Sequence, residues 1–236
     1  ESFEDVAKTT CMAIDLSWYD ENDNYILSDA EDLYGFSVLS IGNNFENATI
    51  TLEEDVIINE GDSKTWGTTA PKHQWNPIGL EDNSSYTEFA GVFNGGGHSI
   101  SGLYVNTAYN RAGLFGEVAS SGQIKNLKLE NSYITSTKGN VGSIAGIGAG
   151  KFYMLYSDAI LDVQSGYIGG LVGRTTGDVV LENCWYAGKI TNTANHKDNG
   201  GTGGLVGIVQ SGSLTLLNGL NTGIIDPSAK IGPEVV

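Results

Sequence analysis

The sequence predicts an all-β chain: a parallel sheet coiled into a β-solenoid, with one α-helix over its N-terminal end. Three observations carry that expectation. A glycine-bounded pentapeptide occurs four times, at Ala112–Gly116, Gly142–Gly146, Gly169–Gly173 and Gly203–Gly207. The closing glycines, Gly116, Gly146, Gly173 and Gly207, lie 30, 27 and 34 residues apart, a period typical of stacked supersecondary units. A second glycine follows each copy (Gly122, Gly150, Gly177, Gly212), and then a short apolar run: Ile124–Leu127, Phe152–Leu155, Val179–Leu181, Leu214–Leu217. Strand, turn, strand, small-residue strand and turn make one rung.

Residues 1–27 are acidic and irregular, apart from an apolar patch at Met12, Ile14, Leu16, Trp18 and Tyr19. The run from Asp20 to Asn24 reads as a solvated turn, because an EF-hand would need a glycine at its sixth position and a closing glutamate. Ser28-Asp29-Ala30-Glu31 has the form of a capping box, with Ser28 accepting from the Glu31 amide. Ala30, Leu33, Tyr34, Val38 and Ile41 then fall on one helical stripe, so an amphipathic helix is predicted over 29–42. The open end of a solenoid exposes apolar interior, and this helix is assigned to cover it.

Thr49–Leu52 alternates as a strand, and Val56–Ile58 follows after an acidic corner. Residues 59–88 form a long excursion containing Trp66, His73 and Trp75. A loop of this length suggests a function, or a fold over the barrel anchored by Trp66 or Trp75. From Phe89 the repeats run almost unbroken to Ile225, with a second excursion at 191–202. The solenoid domain is therefore placed at 28–225, after an irregular segment 1–27 and before a tail 226–236. No helix follows the last rung, so that tail or further chain is expected over the C-terminal end. Alternation within the repeat places Leu171 inward between Ile144 and Leu205, and Arg174 outward.

The chain has 33 glycines against four prolines, with 40% hydrophobic residues. Such glycine in the company of β-branched and aromatic residues punctuates strands rather than forming a linker. Twelve basic and 28 acidic residues leave a net charge of −16, which repels phosphate backbones and anionic membranes and argues against a nucleic-acid partner. No apolar run is long enough to span a bilayer. The chain opens at Glu1 without a methionine, which predicts a processed product or a piece of a longer protein. Cys184 sits in a core-type run and reads as a buried thiol rather than a partner for Cys11.

Several motifs occur in order: Trp75-Asn-Pro-Ile-Gly79, Phe89 through Asn94-Gly-Gly-Gly-His98-Ser-Ile100-Ser-Gly-Leu103, and the Gly-Leu-Val-Gly repeats. Together with Tyr25–Leu33 and Thr49–Val56 they resemble the GLUG-repeat proteins, bacterial secreted and surface proteins named for a Gly-Leu-bulky-Gly motif. The resemblance covers most of residues 25–225. It implies a right-handed parallel β-helix at a cell surface, often within a longer chain, and supplies no catalytic residues. Ser143 and Ala145 depart from the motif, and Phe152-Tyr-Met-Leu155 lacks the usual asparagine, so that rung is expected to be the least regular.

Residues suited to catalysis are sparse. His73, His98 and His196 have no partner at metal-ligand spacing, and no serine elbow or zinc motif occurs, so neither metal nor cofactor is expected. Glu130 and Asp158 each lie eight residues beyond a rung glycine (Gly122 and Gly150). Carboxylates on adjacent rungs, about 4.8 Å apart, have a spacing compatible with glycoside cleavage. Lys125, Lys128 and Arg174 are thin support for a lyase on acidic sugars. Trp66, Trp75, Tyr86, Tyr109, Trp185 and Tyr186 are the candidate ligand-contact aromatics, because exposed rings stack on sugar faces. The expected function is thus a non-catalytic surface module, adhesive to a glycan or protein or serving as a rigid spacer. The alternative is a carbohydrate-active enzyme on the same scaffold.

Overall fold

The structure is a computed structural model that describes residues 12–20, 22–80, 82, 84–164, 166–193 and 200–226. It is a β-solenoid in which every strand pairs in parallel with its counterpart one turn away. The main face runs in the order Asn24–Leu27, Thr49–Leu52, Val92–Asn94, Gln123–Glu130, Ala145–Ser157, Val172–Glu182, Val206–Val209. A second face stacks Tyr104–Thr107, Tyr133–Ser136, Ile160–Val163, Lys189–Asn192 and Ile224–Ile225. The third stacks Arg111–Ala112, Asn140–Gly142, Tyr167–Gly169 and Thr202–Gly203.

Unshifted register makes the core a set of columns. One runs Tyr25, Ile50, Phe93, Ile124, Phe152, Leu181 and Leu216 across successive strands. All but the last are buried, whereas Leu216 is 38% exposed. A second column is Val105, Ile134, Leu161, Ile190 and Ile225. The pentapeptide is not a strand itself, as alternation suggested, but the corner between the third face and the main one. Leu171 points inward there: its N–H donates to the Leu205 carbonyl at 3.0 Å and its carbonyl accepts from Ile144 at 3.0 Å. Gly170 is obligatory at that corner, since a β-carbon would collide with the Gly204 carbonyl and the Tyr186 ring.

Two expectations need correction. The helix, α1, spans Ala30–Leu39 rather than 29–42, and its cap is Asp29, whose carboxylate accepts from the Glu31 and Asp32 amides. The Ser28 N–H instead donates to the Asp32 carboxylate at 2.8 Å. Val38 and Ile41 are exposed, whereas Leu33 and Phe36 are fully buried. The cause is the strand Asn24–Leu27, which extends the main face ahead of residue 28 and fixes the helix's entry and rotation. Phe36 stacks on Phe93 and meets Phe45 and Phe89 edge-on, so α1 seals the N-terminal end of the core.

The rung with the atypical motif is irregular, as its departures from the motif predict: its pairing shifts register between Gly148 and Gly150, and Met154 has left-handed backbone. It nonetheless contains the longest strand among the described residues, Ala145–Ser157, of 13 residues. Ser143 is tolerated because its hydroxyl donates to the Gly170 carbonyl on the next rung. The second correction is Arg174, expected to face outward: it is half-buried, with an Nε that finds no partner among the described residues. It lies two rungs from the buried Glu117, itself paired to Arg111 at 2.6 Å.

The 59–88 excursion folds over the barrel with its tryptophans buried, the second of the two readings that its length and composition allow. Asn59 ties it to the barrel, donating to the His73 and Gly102 carbonyls. Ile78 pairs in parallel with Phe115, and the Trp75 indole donates to the Leu114 carbonyl at 3.1 Å. At the far end Leu216, Leu217, Leu220 and Ile224 are exposed. The 227–236 tail, the middle of the 191–202 excursion with His196, and Cys11 lie outside the described residues. Cys184 is a free buried thiol whose pKa burial pushes up to about 11.

Candidate ligand-binding groove

The six aromatics singled out in the sequence divide sharply. Trp66, Trp75 and Tyr186 are core side chains, 5%, 1% and 0% exposed, and are closed to a ligand from solvent. Trp66 packs with Tyr104 and Tyr133, and the Tyr186 hydroxyl donates to the Ala159 carbonyl. Tyr86 is exposed but covered on one face by the Arg111 guanidinium, 3.6 Å from its ring centre. Tyr109 is half-buried on a different flank. Trp185, 43% exposed, lines an open groove, whereas Trp66, nearly buried, borders only a separate cavity lined by residues between 58 and 73.

That groove, of about 590 Å³, lies on the main face where it turns a corner, and it crosses four rungs. One wall is a row of outward side chains in register, Lys128, Tyr156 and Trp185, which Leu220 continues on the next rung beyond the groove. The Trp185 indole is held by its N–H, which donates to the Thr222 hydroxyl at 2.8 Å, and by the Tyr156 ring edge-on at 5.0 Å. The other wall carries the amides Asn94, Asn126 and Asn183, with Met154 among them. Among the described residues Lys128 is the one charged lining residue, and no carboxylate lines the groove. The lining therefore offers an apolar ring surface beside amide donors and acceptors, with little net charge.

No family model matches the chain. Halomucin of Haloquadratum walsbyi is 38% identical over 97 residues, which are 41% of this chain and 1% of halomucin. A "Putative Gly-rich membrane protein" of Evansella cellulosilytica is 44% identical over 62 residues, 26% of this chain and 7% of that protein. The chain thus spans a small fraction of both curated relatives. Among solved structures, that of a "putative immunoglobulin A1 protease" from Bacteroides ovatus superposes with a TM-score of 0.58 at 18% identity. The superposition covers 90% of this chain and 70% of that one. At that identity the likeness is one of fold.

Of the residues considered for catalysis, Glu130 and Asp158 do lie on adjacent strands, one position past the paired Leu129 and Ser157. Asp158 is engaged locally, its carboxylate accepting from the Asn131 amide at 2.7 Å. Burial, the largest influence, raises its pKa above the ordinary 3.8. A carboxyl with a raised folded-state pKa destabilises the fold while ionised, and that penalty fades as pH falls through the folded value. Asp158→Asn keeps the acceptor and removes the charge. It is expected to raise the melting temperature at pH 7, with the gain over wild type shrinking to nothing as pH approaches 3.8. A gain independent of pH would contradict burial as the cause. His73 is half-buried, with its pKa lowered by burial, and His98 faces Asp55 at 3.6 Å. Among the described residues no group of three or more His, Cys, Asp or Glu side chains is placed to hold a metal. No described helix is long and apolar enough to cross a membrane.

Sequence reasoning missed Tyr156 and Met154. The signal for Met154 lies in the sequence, as the asparagine missing from Phe152-Tyr-Met-Leu155. In the structure that departure is both an irregularity of backbone and a place on the wall of an open groove.

Proposed function

We propose that this chain is a non-catalytic module of an extracellular surface protein, of the Gly-Leu-bulky-Gly repeat type, and that it binds a neutral glycan in the groove beside Trp185. The observation that carries this reading is the exposed indole, fixed by Thr222 and Tyr156 and flanked by amides without a carboxylate. A fixed aromatic face loses little entropy when a sugar ring stacks on it, and amides match hydroxyls in either direction. The net charge of −16 disfavours nucleic acid and acidic polymers as ligands. Surface location is supported by relatives whose names invoke a mucin and a membrane.

The enzyme reading has one observation behind it, the raised pKa of Asp158 beside Glu130. Release of reducing ends or unsaturated uronides from a polysaccharide panel, abolished by Asp158→Asn, would select it. Binding is tested on a glycan array with the wild-type chain and Trp185→Ala. The variant should weaken retention about tenfold, the upper end of a single aromatic contact, with an unchanged melting temperature. Equal retention by both proteins would remove the groove from the function.

A further inference from the structure

Four equivalent corners on the groove flank adopt left-handed backbone: Asn126 (φ 55°), Met154 (52°), Asn183 (54°) and Asn218 (53°). Asparagine tolerates this region because its short amide bonds locally, whereas a methionine side chain gains nothing there. The amides also link rung to rung. Asn126 Nδ2 donates to Asn94 Oδ1 at 3.0 Å, and Asn218 Nδ2 donates to Asn183 Oδ1 at 3.0 Å. Met154 sits between these two links and breaks the ladder. Asn126 Oδ1 is left without a donor and Asn183 Nδ2 without an acceptor, among the described residues, on the rungs either side of a thioether that is 61% exposed. A local rule broken at one rung, at some cost in strain and lost hydrogen bonds, points to a use for the break.

We propose that this break is the central subsite for a neutral β-1,4-linked oligosaccharide lying along the solenoid axis, an inference that rests on the glycan-binding function proposed above. The occupant follows from the chemistry of the two walls. The amide row and the row of Lys128, Tyr156 and Trp185 both run along the axis, one residue per rung. Extended β-1,4-linked pyranose chains present flat apolar ring faces with equatorial hydroxyls at their edges. Each ring advances the chain by a length close to the rung spacing of about 4.8 Å, with successive rings turned over. A ring over Met154 can place its face on the thioether and the Trp185 indole. Its edge hydroxyls can then donate to Asn126 Oδ1 and accept from Asn183 Nδ2. One lysine and no carboxylate in the lining fit an uncharged chain better than a polyuronate.

Calorimetric titration with cellohexaose and chitohexaose, and with their disaccharides, tests this on the wild-type chain and two variants. Met154→Asn completes the ladder and consumes both free amide groups. It should raise the melting temperature while cutting hexasaccharide affinity about tenfold or more, the loss of one or two hydrogen bonds and the apolar floor. Met154→Leu, which keeps an apolar floor and leaves both amides free, should lose less. Undiminished affinity in Met154→Asn, or a greater loss in Met154→Leu, overturns the subsite. Disaccharides that bind as tightly as hexasaccharides overturn the axial arrangement. A wild-type chain that binds other glycans on the array but neither hexasaccharide overturns this inference alone. No glycan binding at all overturns the proposed function with it.

Discussion

Leu171→Ala is expected to lower stability by about 2–5 kcal/mol, the cost of deleting a buried leucine with partial collapse of the cavity. Leu171 is fully buried at the corner of its rung, between the corners that carry Ile144 and Leu205, which are 0% and 2% exposed. A solenoid corner is fixed on both sides by backbone hydrogen bonds, so neighbouring rungs have little freedom to close over the gap. Leu171→Asp should cost more, because a carboxylate would sit in an apolar column without a partner. Arg174 is unsuitable as the neutral control, being half-buried. Thr176 is exposed, and Thr176→Ala should change stability by less than about 0.5 kcal/mol. Thermal and urea melts of the three variants measure this. Similar small effects at Leu171 and Thr176 would mean that the corner is not stacked.

Phe36→Ala is expected to cost about 3–5 kcal/mol, as a fully buried aromatic at the sealed end of the core. Its ring is the meeting point of Phe93, Phe45 and Phe89, with centroid distances of 5.9, 5.0 and 5.8 Å. Loss of the ring would admit water to the first rungs as well as leave a void. Val38→Ala serves as its counterpart. Val38 is 45% exposed, and the change should be worth less than about 0.5 kcal/mol. The periodicity of the sequence places Val38 on the buried stripe and leaves Phe36 off it. The comparison therefore asks which element sets the helix's rotation. A larger effect at Val38 than at Phe36 would restore the stripe read from the sequence.

The rung is legible because its determinants are local. At the repeat glycines 146, 173 and 207 a β-carbon would collide with backbone, and each inward residue must match its counterparts one period away. Repetition turns that local rule into a global fold, so Leu171 could be placed between Ile144 and Leu205 without coordinates. The presence of a helix near residue 30 is equally local, resting on a capping residue and a run of helix formers.

What the sequence could not decide are the relations between segments far apart in the chain. The rotation of α1 depends on the strand Asn24–Leu27 pairing with Thr49–Leu52, and on three phenylalanines from other segments. Whether a tryptophan is anchor or platform depends on what lies over it. Trp75 is covered by Tyr34 and bonded to Leu114, whereas Trp185, next to the buried Tyr186, faces out because strand alternation puts neighbours on opposite sides. The groove itself exists only through register. Parallel pairing brings Lys128, Tyr156 and Trp185, some thirty residues apart in sequence, into one row about 4.8 Å per step. It aligns Met154 with the left-handed corners of Asn126 and Asn183. A coiled parallel sheet and its inward columns follow from periodicity and so can be read from the chain alone. Which surface is open, and which amides on it are left unpaired, emerges only on folding, because exposure is set by neighbours that periodicity does not name.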